Sequence, residues 1–196
     1  VTLHQTRLSE SEIIGRLAAG DKTGGSCASL AFAYAANKNG MNVVDFRGGL
    51  SREAFASAAF CRAIFDADGV ESYAERHTNE ITATHRLLKR IQPGKEYILT
   101  TGKHAAIVKR TRANFQYLEM QSPYQGRNGW HSLDDEMLTR HFYCQKSHTS
   151  RGVKYLVSSE LTEISSLASS EGYRELMGCL NTADIEQQKG VDGDIR

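Results

Sequence analysis

The chain has 196 residues, 40% of them hydrophobic and 24% charged, with a formal net charge of +1. That is enough apolar material for one sizeable core. The near-neutral balance argues against the broad basic field that draws proteins to nucleic acid or to an anionic membrane. No uninterrupted apolar run is long enough to cross a bilayer, and no segment has the layout of a signal peptide.

In chain order, Ile13, Ile14, Leu17 and Ala18 share one helical face. They predict a helix over residues 9–19, with Ser9 or Ser11 as N-cap. Residues 20–25 read as a loop. Residues 26–39 are small and apolar, closed by Gly40, and predict a helix buried nearly all round. A short extended piece over 41–46 leads to the turn Arg47-Gly48-Gly49, and Ser51 caps a helix to about Asp66. Residues 70–91 are more polar and read as one or two helices, stopped by Pro93-Gly94. The period then changes to two. Residues 96–101, 104–110 and 115–122 predict three antiparallel strands. A loop over 123–130, a helix over 132–142, a fourth strand over 152–158 and a closing helix over 162–180 complete the pattern. Helices followed by an antiparallel sheet make an α+β fold, not a doubly wound parallel one. Residues 1–181 read as a single domain and 182–196 as a polar, flexible tail. The chain begins at Val1 without an initiator methionine, which fits a domain excised from a longer polypeptide.

The four cysteines, Cys27, Cys61, Cys144 and Cys179, are widely separated and form no CxxC pair. A chain with a good core does not need disulfides, so the pattern suits a reducing compartment. Cys61 and Cys179, in apolar helical stretches, read as small buried hydrophobes. Cys27 is different. It follows Thr23-Gly24-Gly25-Ser26, where a glycine-rich loop turns into the apolar helix. A thiol at a helix start feels unpaired backbone N–H groups and the positive end of the helix dipole. Both favour the nucleophilic thiolate.

His104 opens the second strand, and the third carries alternating polar residues. A turn centred between Thr111 and Arg112 sets Glu119 opposite His104. A turn centred between Arg112 and Ala113 sets Gln121 there, and the turn signal Arg112-Ala113-Asn114 favours the later centre. Either side chain can accept from an imidazole N–H and fix its tautomer. A helix-borne cysteine, a histidine on a strand and a polar orienting residue on the next strand together point to nucleophilic catalysis at an amide carbonyl. Taken singly, each is more often structural.

Residues 25–40, Gly102-Lys103-His104-Ala105 and Leu118-Glu119-Met120-Gln121-Ser122 resemble the papain-fold toxin domains of bacterial polymorphic toxins. So do Val44-Asp45-Phe46-Arg47-Gly48-Gly49 and Asn128-Gly129-Trp130. The resemblance is motif-level and runs over residues 23–130. It implies a papain-like fold in which a central buried helix carrying the cysteine packs on a small antiparallel sheet. It implies Cys27 as nucleophile, His104 as general base and Glu119 or Gln121 as the third residue. It further implies a secreted effector that reaches the cytoplasm of a target bacterium and cleaves a protein there. A cognate immunity protein would be its partner, and no cofactor, metal, nucleic acid or membrane would be involved. One departure stands out: the residues just before Cys27, Asp21 to Gly25, include no glutamine to serve as oxyanion donor. The Cys27 N–H supplies one donor, and Thr23 or Ser26 is the candidate for the second. This leaves room for an amidase or deamidase acting on peptidoglycan or a side-chain amide. A non-enzymatic α+β binding module, with Cys27 as packed core, is the rival of another class.

Other signals have plainer readings. His141, Cys144 and His148 stand at short spacings, but zinc wants a fourth ligand. His77 and His85 read as solvated. Lys109, Arg110, Arg112 and Arg127 read as a solvated hairpin tip, and Asp45 with Arg47 as a structural turn. Trp130, the single tryptophan, belongs to the core or lines the cleft.

Overall fold

The computed structural model describes residues 2–18, 27–43, 54–124 and 126–180. They form an α+β protein that divides into two compact units. One comprises Val1–Glu71, Glu119–Gly129 and Ile164–Arg196, and the other comprises Ser72–Leu118 and Trp130–Glu163. Among the described residues no helix is long and apolar enough to cross a membrane.

The first unit is helical. Helix α1, Glu10–Leu17, starts at Ser9 with a capping box: Ser9 Oγ accepts the Glu12 N–H, and Glu12 accepts the Ser9 N–H at 2.7 Å. Its apolar face buries Ile13 and Leu17. Helix α2, Cys27–Lys38, is buried at every position from Ser29 to Asn37, because alanines alternate with Leu30, Phe32 and Tyr34 and expose no polar face. Asn37 survives inside because its amide donates to Ala33 O and Val43 O, while its oxygen faces His4 Nε2 at 2.8 Å. The chain leaves α2 through Gly40 at φ +86°. Phe32 packs tilted against Phe55 and stacks on Phe65, with ring centroids at 5.0 and 5.6 Å. Its carbonyl accepts from the buried Tyr173 hydroxyl, whose ionisation burial pushes well up.

Here the segment expected to run from Ser51 to Asp66 is interrupted. Residues 54–56 are helical, and α3, Ala58–Phe65, restarts at Ser57, whose Oγ accepts the Phe60 N–H. The Ser57 hydroxyl competes for the backbone donors that a continuous helix needs. The expected closing helix also starts later. Residues up to Glu163 are strand, Ser165–Ser169 is a 3₁₀ turn, and only Glu171–Leu180 is helix.

The second unit holds a six-stranded sheet. Its strands are β1 (Ser72–His77), β2 (Glu96–Thr101), β3 (His104–Arg110), β4 (Phe115–Glu119), β5 (Gly129–Ser132) and β8 (Val157–Glu163). They lie in the order β1-β8-β2-β3-β4-β5. The β1–β8, β8–β2, β2–β3 and β3–β4 pairs are antiparallel. Strand β1 replaces the first half of the polar helices expected over residues 70–91. It pairs on one side only, so its alternate residues stay partly solvated and the polar composition resembles a helix surface. Two short helices, Glu80–Leu88 and Asp135–Arg140, cover one face, the second capped by Asp134 rather than Ser132. Tyr97, Leu99, Ala106, Val108, Tyr117 and Leu161 on that face form a single core with Leu87, Leu138 and Phe142. Between Asp135–Arg140 and β8 lies a separate hairpin, β6 (Thr149–Ser150) and β7 (Val153–Lys154).

The β2–β3 connection is the tightest point of this unit. Thr101 pairs with His104 across the two-residue loop Gly102-Lys103. Gly102 sits at φ +61°, and the Lys103 N–H donates to Phe142 O at 2.8 Å. A Cβ on Gly102 would lie 2.1 Å from Phe142 O and 2.9 Å from Cys144 N, both backbone atoms. Gly102→Ala is therefore expected to cost more than about 2 kcal/mol, through strain at positive φ plus the clash. Gly94→Ala, at φ +82° with open space around it, carries the strain alone and costs about 1 kcal/mol. Urea unfolding of the two variants reads the difference as a larger midpoint drop for Gly102→Ala.

Candidate functional site

Cys27 is the first residue of α2, half-buried and reduced. No acidic residue occupies the first turn of this helix, so nothing there opposes a negative charge at its N-terminal end. Thr23 and Ser26, the oxyanion candidates, lie outside the described residues, as do Gly24, Gly25 and residues 44–50 with Asp45, Arg47, Gly48 and Gly49.

His104 stands at the head of β3 in the sheet unit, half-buried. Its position follows from Gly102, which turns the chain, and from Thr101, its partner across β2. Alternation puts His104 on the same face as Ala106 and Val108, the face of the helix-covered core. There its ring meets two others edge-on: His141 at 4.7 Å and Phe142 at 4.9 Å between centroids. Tyr117, on the neighbouring strand, packs against His141 at 5.2 Å and His131 at 5.7 Å. Such offset and edge-to-face contacts each contribute about 0.5–1.5 kcal/mol, and they fix ring planes. The sequence pattern did not reveal this ring cluster. Its members come from four separate segments, and its one local signal was a histidine beside an aromatic at 141–142.

Strand β4 pairs with β3 through Val108–Tyr117, Lys109–Gln116 and Arg110–Phe115. This places the turn centre between Arg112 and Ala113, the later of the two alternatives, and the Thr111 N–H closes it on Asn114 O at 2.8 Å. Glu119 ends β4, 8% exposed, and its Oε1 accepts the Gln121 N–H at 2.7 Å. Cys27, Glu119 and Gln121 belong to the helical unit and His104 to the sheet unit.

Trp130 lies in β5, where the expected loop ends early, and Lys109 Nζ sits 3.8 Å from the centre of its ring. Arg110 lies over Phe115 at 5.9 Å. Two of the four cations read as a solvated hairpin tip thus rest on aromatic faces. His85 Nε2 is 2.6 Å from Asp135 Oδ1, and His77 Nδ1 accepts the Asn79 N–H.

The spacing of His141, Cys144 and His148 brings no shared centre. His141 packs on His104, Cys144 Sγ lies 3.5 Å from Thr101 Oγ1, and His148 Nε2 stands 2.9 Å from Glu80 Oε2. Among the described residues no group of three or more His, Cys, Asp or Glu side chains is placed to hold a metal ion. Cys61 is buried, and its thiol donates to Phe55 O at 3.3 Å.

A search of protein-family models, of curated proteins and of solved structures finds no match to this chain.

Burial pushes the Cys144 thiol up to about 11, outweighing the hydrogen bond from Thr101, with Glu80 adding to the rise. The folded state therefore holds this proton more tightly than the unfolded chain, whose thiol titrates near about 8.5. Stability should fall as pH climbs from about 8.5 towards about 11, because only the unfolded chain releases the proton in that window. Urea midpoints taken across this range should show that fall in the wild type. Its slope should be shallower in Cys144→Ala; equal slopes would mean the thiol is not held protonated.

Proposed function

We propose that the protein is a papain-like cysteine hydrolase acting as an interbacterial toxin effector, which cleaves a peptide bond in a target-cell protein. Cys27 attacks the carbonyl carbon. His104 takes the thiol proton and returns it to the leaving amine, and water then releases the acyl group from the thioester. The observation that carries this reading is Cys27 at the first position of α2. The helix buries the nine positions from Ser29 to Asn37 and carries no acid in its first turn. A cysteine meant only for packing is better served within that buried stretch than at the half-buried end where thiolate is favoured. His104 heading a strand of an antiparallel sheet, its ring braced by His141 and Phe142, adds support. An immunity protein in the producing cell completes the proposal.

The test begins with growth of a bacterial host expressing the chain in its cytoplasm. Cys27→Ala and His104→Ala should each abolish toxicity with the fold retained, since Cys to Ala changes little volume. A folded, still toxic Cys27→Ala protein would falsify the cysteine-enzyme reading. Proteomics on the same cells separates peptide cleavage, seen as new termini, from deamidation, seen as converted Gln or Asn. Brief iodoacetamide treatment gives a readout free of any substrate. In a thiolate–imidazolium pair, Cys27 labelling rises at acidic pH and stays high through neutrality. In His104→Ala the acidic limb should vanish, leaving one rise near the free thiol value of about 8.5. Identical profiles in the two proteins would remove His104 from the proposal.

The observed β3–β4 turn centre, between Arg112 and Ala113, is the one for which the sequence expects Gln121 opposite His104; β4 itself ends at Glu119. Glu119 already accepts a backbone N–H, which occupies one of its oxygens. Gln121→Ala should therefore lower turnover more than Glu119→Ala, by about tenfold or more for an orienting group. The reverse ranking in well-folded variants gives the role to Glu119.

A further inference from the structure

We propose that the hairpin arm from Lys146 to Leu156 is a docking surface for an acidic, extended segment of a partner protein. Four of the six large hydrophobic side chains exposed among the described residues lie on this arm or at its root: Tyr143 (61% exposed), Val153 (68%), Tyr155 (46%) and Leu156 (52%). Every residue from Thr149 to Leu156 is exposed. Such clustering marks interaction surfaces, whereas single exposed apolar residues do not.

The charge on the arm is of one sign. Between Glu136 and Glu160 the sequence has no acidic residue, yet it carries Arg140, Lys146, Arg151 and Lys154. Lys146, Arg151 and Lys154 are exposed, and no carboxylate partner is seen for them among the described residues. Strands β6 and β7 pair only with each other, so each presents an outer backbone edge to which an extended segment can add.

The arm is held firmly at its base, which lowers the ordering cost of binding. Glu80, almost fully buried, accepts the Gln145 N–H at 2.7 Å and faces His148 Nε2 at 2.9 Å, while its own N–H donates to Gln145 O. The Tyr155 N–H donates to His148 O, and the Tyr155 ring meets the His148 ring edge-on at 5.5 Å. An acidic polypeptide satisfies the three cations and covers the aliphatic Val153 and Leu156. A nucleic acid would satisfy the cations but has little use for aliphatic side chains, which offer its bases no stacking platform.

The full chain titrated into a fluorescein-labelled ten-residue peptide of alternating Glu and Val tests the proposal by anisotropy. Saturable binding, weakened by salt, is expected, with amide shifts confined to residues 145–156. The triple reversal Lys146→Glu, Arg151→Glu, Lys154→Glu should weaken it at least about tenfold. The pair Val153→Ser, Leu156→Ser should weaken it by several-fold with the charges intact. All five side chains are exposed, so the variants should fold, as circular dichroism would verify. Absence of saturable binding overturns the proposal, as does binding undiminished by the reversal, or equal binding of the Lys-Val counterpart. Tighter binding of single-stranded oligo(dT) or of phosphatidylglycerol vesicles overturns it in favour of a nucleic-acid or membrane surface.

Discussion

The sheet unit depends on one close approach, that of Gly102 to the backbone of residues 142–144. Strands β2 and β3 would form a hairpin with many two-residue loops. Only one without a Cβ at its first position lets Phe142 O come near enough to accept the Lys103 N–H. This single bond fixes the end of the hairpin against the exit of the helix Asp135–Arg140. His104 is the next residue along, so its ring lands against His141 and Phe142 rather than in solvent. The exposed arm grows from the same segment two residues later, so the His104 hairpin and the arm share one foundation.

A chain of buried polar groups stands beside that foundation. Thr84 Oγ1 donates to Glu80 O and lies 2.9 Å from Thr101 Oγ1, which in turn lies 2.8 Å from Ser159 Oγ. Each hydroxyl alone would be a costly guest in a core of Leu, Val and aromatic side chains. Linked, they satisfy one another across the helix Glu80–Leu88 and strands β2 and β8. Hydroxyl pairing of this kind also selects register. A slip of one residue in β8 would turn Ser159 to the opposite face and leave Thr101 with one partner fewer.

Much of this was legible in the sequence where local chemistry decides. The shared face of Ile13, Ile14 and Leu17 announced its helix, the small apolar run before Gly40 announced a buried one, and Arg112-Ala113-Asn114 favoured the observed turn centre. Where distant partners decide, local pattern misled. Residues 72–77 carry Glu75, Arg76 and His77, poor strand formers alone, and become a strand because β8 offers them a partner. Residues 157–163 carry only Val157 and Leu161 as apolar side chains and form a strand because they lie between β1 and β2. The same polar-apolar mix fits the start of a helix when read without those neighbours. The candidate site divides in the same way. Cys27 at a helix start and His104 at a strand start are local facts, whereas the rings around His104 come from β4, β5 and residues 141–142 and are invisible until the chain folds.

Three of the four cysteines show how placement alone sorts a common functional group. Cys144, surrounded by core and by hydroxyls, keeps its proton into the alkaline range. Cys61 donates a hydrogen bond to the Phe55 carbonyl and packs as a small hydrophobe. Cys27 is the first residue of α2, a helix with no acid in its first turn. Nucleophilic chemistry requires a thiol that loses its proton near neutrality and a base whose ring is already aimed, since orientation fixed before reaction is not lost during it. In the sheet unit the His104 ring is packed edge-on by His141 and Phe142, against whose backbone Gly102 turns the chain. The proposed hydrolase would rest on two local features of unrelated origin, a helix start at Cys27 and a glycine turn before His104.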